Sequence, residues 1–245
     1  MEPFFPGQPK SLSGIALRAF CLGAALSAGL IFTAYLLLFA PRQEDGNATP
    51  AWRVPFFLAC LSSFHFLEFW TTAERNTLVA AVDSFLLTSN GLAYAVAHAA
   101  AFAECALVSV LYPRRAWLPP PVSSALLFLG LALVVVGQAV RSAAMMHAGV
   151  SFNHQVQTRR ADSHALVTDG VYSLLRHPSY FGFFWWGLGT QLVLGNALCS
   201  VAYAVVLWRF FSARIRHEEE NLVRFFGDEY VQFRERVPTM IPFIK

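Results

Sequence analysis

The chain has 245 residues, 56% of them hydrophobic and only 13% charged, with a formal net charge of +3. A soluble domain carries about a quarter charged residues, so this composition excludes a water-soluble globule, and nothing in it suggests a nucleic-acid partner. The apolar residues fall in long runs, not in the short alternating segments of a membrane barrel, and predict a polytopic all-α membrane protein.

Six segments are long enough to span a bilayer: 14–40, 55–72, 91–112, 122–147, 179–195 and 196–211. Pro3 and Pro6 precede the first, which is long enough to stay in the membrane and has no small-residue cleavage site after it, so a retained span is expected. The sequon Asn47-Ala48-Thr49 lies in a short loop expected to be lumenal and is followed by Pro50, so we expect it to be unused. His65 and Glu68 fall in the second segment and Glu104 in the third. Ionisable groups inside a span are functional candidates by default. A neutral Glu hydrogen-bonded between helices, or one near a cytosolic or lumenal end of its span, is the favoured account here, and these residues stay outside the candidate site. Cys21, Cys60, Cys105 and Cys199 sit in apolar runs without metal-ligand spacing and are expected to be small buried hydrophobes; no metal site is expected.

The character changes after the fourth span. Residues 151–178 are polar and lead into two short spans joined at Gly195-Asn196, which predict a tight helical hairpin. The glycines of "GLGTQLVLG" lie inside it and are expected to pack helices, so no Rossmann nucleotide fingerprint is present. A charged helix follows, with Leu222, Val223, Phe225 and Phe226 at helical spacing, Gly227 as C-cap and an amphipathic turn at Tyr230 and Phe233 lying on the membrane face. We expect one membrane domain over 1–245, with a scaffold in 1–147 and the cofactor-binding and catalytic region in 148–245. With six spans, both termini share the side that holds all Lys and Arg except Arg42, Arg53, Arg114 and Arg115; Arg141 and Lys245 are counted on the basic side. The positive-inside rule makes that side cytosolic and turns a basic face toward anionic lipid.

Helix geometry selects which polar residues can meet. His177 and Tyr180 are three apart, Arg214 and Glu218 four apart, and each pair shares a helix face. The hairpin returns the chain to the side where it entered, so the 176–180 and 214–218 clusters are expected to meet at its open end. In the run Glu218-Glu219-Glu220 at most two can face a pocket, and Glu220 is expected to be solvated. The resulting cation, imidazole, phenol and carboxylate suit a polar cofactor approached from water and a lipid-like substrate approached from the bilayer. An interfacial anchor of snorkelling Arg and belt aromatics is the competing account from residues alone. Phe181, Phe183, Phe184, Trp185 and Trp186 are candidates to line an opening for such a substrate, with ordinary lipid-facing surface favoured for each.

The segments "LVTDGVYSLLRHPSYFGFFWWGLGTQ", "EEENLVRFFGDEYVQF" and "VPTMIPFIK" closely resemble the isoprenylcysteine carboxyl methyltransferase family of the endoplasmic reticulum, over about residues 143–245 and more weakly upstream. Arg-His-Pro alone is shared with membrane sterol reductases; its combination with the double glutamate, Phe-Phe-Gly-x-x-Tyr and Ile-Pro-Phe-Ile is specific. The resemblance implies S-adenosylmethionine as cofactor and methyl esterification of the C-terminal prenylcysteine of processed CaaX proteins, such as Ras and Rho-type GTPases and lamins. It implies a multi-pass protein of the endoplasmic reticulum membrane with its active site facing the cytosol. By the same resemblance, Gln157, His164, Ala165, Leu166, Val167, Tyr172, His177, Pro178, Ser179, Tyr180 and Glu218 hold the cofactor. Arg214 contacts the substrate and, with Arg176 of the motif, is a candidate catalytic cation; the role of Arg176 is structural or electrostatic. His217 departs from the pattern, where an acidic residue is expected, and animal members carry further N-terminal spans. A membrane NADPH-dependent sterol reductase and a non-catalytic lipid-binding protein are the alternatives.

These residue types fit the implied reaction. An α-carboxyl group has a pKa of about 3.5 and needs no general base at neutral pH; it needs alignment and the exclusion of water. Arg holds such an anion without giving up a proton.

Overall fold

The computed structural model describes residues 3–43, 46, 48–114, 117–160 and 164–244; Asn47 of the sequon, Arg115 and Lys245 lie outside them. The described residues form seven α-helices and no strand: α1 (Leu12–Leu38), α2 (Arg53–Arg75), α3 (Gly91–Leu111), α4 (Pro120–Ala148), α5 (Pro178–Leu194), α6 (Leu198–Phe226) and α7 (Asp228–Arg236). α1, α2, α3, α4 and α6 are long and apolar enough to cross a membrane. α5 has 17 residues, about 26 Å at 1.5 Å per residue, the lower end of what a crossing needs. The six expected spans are therefore present as helices.

α5 is the centre of the bundle, and small residues put it there. Gly130 and Gly137 on α4 face Gly189 and Gly182 on antiparallel α5. A Cβ on Gly137 would stand 2.6 Å from the Gly182 carbonyl oxygen, and one on Gly130 would stand 2.9 Å from that of Gly189. Lipid is as apolar as Leu, so helices in a bilayer associate through close van der Waals contact, which side-chain-free surfaces allow. Backbone at this distance admits no larger residue. Phe184 and Trp186, expected to face lipid, are instead buried on α5, because a central helix has neighbours on most sides. The lipid-facing surface belongs to peripheral helices, where Phe20 and Val110 are exposed. Cys21 is also exposed there, against the expectation of burial, while Cys105 and Cys199 are buried, and none of the four forms a disulfide among the described residues.

The hairpin turns at Gly195, whose φ of +64° ends α5 in the left-handed region that glycine adopts at low cost. Glu104 of α3 then accepts from the backbone N–H groups of Ala197, Leu198 and Cys199 at 2.7, 2.9 and 2.7 Å. It caps the exposed donors of α6 and opposes the positive end of the helix dipole, a structural task. Beyond the turn, α6 runs without interruption to Phe226, where a separate charged helix had been expected. No Gly or Pro lies between Gly195 and Gly227, so nothing breaks the helical hydrogen bonding as the sequence turns from apolar to charged. Gly227, at φ +56°, ends α6.

The tail returns to the hairpin. Ile241 packs with Phe184, Phe211 and Ile215, and Trp208 Nε1 donates to the Pro242 carbonyl at 2.9 Å. The Arg176 amide donates to the Pro238 carbonyl at 3.1 Å, which ties the entrance of α5 to the chain end.

Candidate functional site

Pro178 opens α5 at a position where no amide donor is needed, and His177 is its N-cap residue. The sequence Arg-His-Pro-Ser-Tyr thus places two buried side chains, Arg176 and His177, before the helix and Tyr180 in its first turn. The His177 and Tyr180 rings stack with centroids 5.5 Å apart. From α6, Arg214 and Glu218 come down one turn apart on the same face. The Tyr180 hydroxyl bridges them: it donates to Glu218 Oε2 and accepts from Arg214 Nε at 2.8 Å. Arg214 also lies over the Tyr180 ring, 5.4 Å from its centroid, and its Nη2 donates to the carbonyl of His154. The two clusters do meet at the open end of the hairpin.

Successive helical residues point about 100° apart, and the three glutamates divide accordingly. Glu218 faces Tyr180, Glu219 is buried, and Glu220 is exposed. Glu219 accepts from Arg176 Nε at 2.6 Å and His177 Nε2 at 3.1 Å, with Arg234 Nη1 3.7 Å away. Arg176 Nη1 donates to the Val237 carbonyl at 3.0 Å. Arg176 thus clamps the entrance of α5 to α6 and the tail, and its contacts are structural.

Beside this bridge lies a cleft of about 650 Å³. Its walls include His164, Ala165, Leu166, Val167, Tyr172, Arg176, His177, Pro178, Ser179, Tyr180 and Glu218, all singled out from the sequence. Gln157 lines an adjoining recess of about 290 Å³ that shares His164 and Glu218 with the cleft. Arg214 stands behind Tyr180 instead of lining either cavity. Three contacts hold the 164–173 segment over the end of α4: the Ala165 amide donates to Ser151 Oγ at 3.2 Å, His147 Nε2 to Asp169 at 2.9 Å and the Tyr172 hydroxyl to the Ala144 carbonyl at 3.4 Å.

The cleft's polar wall is poised for hydrogen bonding more than for proton transfer. Burial and the nearby Arg160 push the His164 pKa below its ordinary value, against an opposing pull from Glu218, which favours the neutral imidazole. Burial, and then Glu218, push the Tyr172 phenol up; burial and Glu219 do the same for Tyr230. Sequence reasoning did not assign to the site Asn153, Phe226, Tyr230 and Phe233, which also line the cleft.

Glu68 does bond between helices as expected, but in a buried charge cluster behind the site, ion-paired to Arg141 and not neutral. Glu68, 1% exposed, takes Arg141 Nη2 at 2.8 Å and a second bond from Arg141 Nε, and His154 Nε2 donates to it at 2.9 Å. Arg141, one of the residues placed on the basic side, is a buried partner of Glu68. The available signal was the pair itself: an acid and a base in two different apolar runs are costly in lipid unless they meet.

A family model described as the isoprenylcysteine carboxyl methyltransferase (ICMT) family matches residues 129–224. The protein-S-isoprenylcysteine O-methyltransferase of Xenopus laevis is 40% identical over 234 residues, covering 94% of this chain and 74% of that protein. The Homo sapiens protein of the same name is 40% identical over 94% of this chain and 75% of its own length. The Saccharomyces cerevisiae one is 48% identical over 77% of this chain and 79% of its length. Among solved structures, a eukaryotic intramembrane Ras methyltransferase, ICMT, superposes with a TM-score of 0.82 at 34% identity, covering 98% of this chain and 80% of that one.

Proposed function

The chain belongs to the isoprenylcysteine carboxyl methyltransferase family, and on that premise we propose that it esterifies the free C-terminal carboxylate of a prenylated cysteine with a methyl group from S-adenosylmethionine. The observation that carries this reading is the Tyr180 hydroxyl bridge, which holds the cation Arg214 on one side and the cleft-facing carboxylate Glu218 on the other.

The cleft fits the cofactor. The fit lies in the chemistry of its lining, where aromatic surface is mixed with a few polar groups, as in small-molecule sites. Arg176 Nη2, a buried donor on a cleft-lining residue, has no hydrogen-bond partner among the described residues, an orphaned polar atom of the kind a bound polar group satisfies. His164, the 165–167 backbone, Tyr172, His177, Pro178, Ser179, Tyr180 and Glu218 would hold the cofactor in the cleft, with Gln157 at the adjoining recess. S-adenosylmethionine supplies an electrophilic methyl group on a sulfonium that leaves as a neutral thioether.

The rest of the task falls to the chain's own residues. Glu218 would accept hydrogen bonds from the cofactor's hydroxyl or amino groups. Arg214 holds the substrate carboxylate: its Nε and Nη2 are fixed by Tyr180 and His154, while Nη1 is bonded to none of the described residues. The carboxylate is already ionised, so rate comes from alignment and from stripping its water, which an aromatic-walled site at the membrane surface does. Arg176 is a positioning cation that keeps His177 and Glu219 in place.

The prenyl chain stays in the bilayer, where each buried methylene contributes about 0.8 kcal/mol. The physiological substrates in this reading are processed CaaX proteins such as Ras and Rho-type GTPases and lamins. The protein acts in the endoplasmic reticulum membrane, its site and both termini facing the cytosol. It works as one unit, with 148–245 supplying most of the site and 1–147 the scaffold. Incubation of purified protein with methyl-labelled S-adenosylmethionine and a farnesylcysteine analogue tests the reading. Label is expected in a base-labile methyl ester of the analogue; cofactor binding without transfer to any prenylcysteine would defeat it.

A further inference from the structure

Glu68 lies outside the cleft, and none of the roles above is assigned to it. Glu68 sits two turns before the end of α2 and is almost wholly enclosed. An enclosed carboxylate in a span is retained only where its partners compensate the loss of water. Each of its partners leads to Arg214. On one side, Arg141 forks onto Glu68 and its Nη1 donates to the Ser179 carbonyl at 3.1 Å, in the first turn of α5, next to Tyr180. On the other, the His154 ring donates to Glu68 at 2.9 Å and the same residue's carbonyl accepts from Arg214 Nη2. Both protein groups that hold the Arg214 guanidinium, the Tyr180 hydroxyl and the His154 carbonyl, are thus anchored to one buried carboxylate.

We propose that Glu68 and His154 are positioning residues for Arg214: the Glu68–His154 contact fixes the loop carbonyl that aims the guanidinium, and so sets affinity for the prenylcysteine carboxylate without touching either substrate. The inference rests on the reaction proposed above. Arg214 is long and flexible, and its fork binds a carboxylate well only when its plane is held in advance. A backbone carbonyl in a loop holds it only if the loop is itself held. The His154 ring is the loop's tether, and Glu68 is the fixed point.

His154→Ala is the variant of choice, because the side chain is 20% exposed, whereas Glu68 is almost wholly enclosed. It should raise the KM for a farnesylcysteine analogue about tenfold, the scale of one hydrogen bond to a charged group, and leave the KM for S-adenosylmethionine within about twofold. His154→Gln, whose amide can still donate to Glu68, should recover most of that loss. In an Arg214→Ala background, His154→Ala should add less than a twofold change, since the group it aims is gone. Glu68→Gln should shift the same KM in the same direction. A parallel rise in both KM values, a full tenfold effect persisting without Arg214, or unchanged kinetics in His154→Ala would each overturn the proposal. A wild-type protein that methylates no prenylcysteine would overturn the parent reading and this inference with it; an active wild type with an indifferent His154→Ala overturns the inference alone.

Discussion

Replacing Tyr180 with Phe removes one oxygen atom and tests the site at its junction. The ring stays: it stacks on His177 at 5.5 Å and packs against Phe211 at 5.2 Å, and phenylalanine keeps both contacts. What is lost is the donor to Glu218 and the acceptor for Arg214 Nε. Hydrogen bonds to charged groups contribute about 1.5–3 kcal/mol each. Arg214 and Glu218 are four apart on α6 and free to pair directly once the hydroxyl is gone. Such a pair returns only about 0.3–0.5 kcal/mol and draws both groups away from their ligands. The net loss of about 2.5–5.5 kcal/mol for the two bonds corresponds to about a 100- to 10,000-fold fall in kcat/KM, spread over both substrates because the hydroxyl serves both sides. Initial rates with each substrate varied in turn, beside a thermal unfolding curve, measure this. Wild-type kinetics in Tyr180→Phe would refute the bridge. A loss confined to one substrate would refute its joint character.

Other outcomes follow from the same geometry. Glu218→Gln should raise the KM for S-adenosylmethionine about tenfold while leaving the farnesylcysteine KM nearly unchanged; unaltered cofactor kinetics would take Glu218 out of the site. Gly137→Ala sets a methyl group where the Gly182 carbonyl oxygen lies 2.6 Å from a Cβ, and should destabilise the α4–α5 contact by about 1–3 kcal/mol, read as a lower unfolding temperature in detergent. An unchanged melting temperature would mean that the two helices do not approach this closely. Burial and Arg160 depress the His164 pKa, so between its ordinary and depressed values the unfolded chain binds the proton and the folded one does not. Its contribution to stability is therefore present above about pH 6.5 and is lost as pH falls below that. His164→Gln should flatten the dependence of melting temperature on pH between about 7 and 5, and an identical slope in both proteins would contradict the shift.

Much of the site was legible because its signals are local. Pro178 announces a helix start whatever surrounds it, and the three- and four-residue spacings of His177–Tyr180 and Arg214–Glu218 set their faces by helix geometry alone. A hairpin with a Gly turn must bring its ends to one side, which is why those pairs meet. Arg176 was harder to place, since the motif holds no hint that its partners are Glu219 and the Val237 carbonyl. Glu68 and Glu104 look alike in sequence, each a lone acid in an apolar run. One anchors Arg141 and His154 and the other caps α6, and only the neighbours differ.

By itself, the sequence determined what depends on hydropathy and helical period: an all-helical membrane chain, its spans, the closing hairpin and the residues able to share a face. The tertiary structure alone decided which helix lies in the centre, how the three glutamates divide their partners, and that Glu68 reaches His154 across 86 positions of chain. The physical reason is the range of the forces. Apolar transfer and backbone hydrogen bonding act on each segment separately, whereas a buried ion pair or a glycine contact exists only once two distant helices have taken their register.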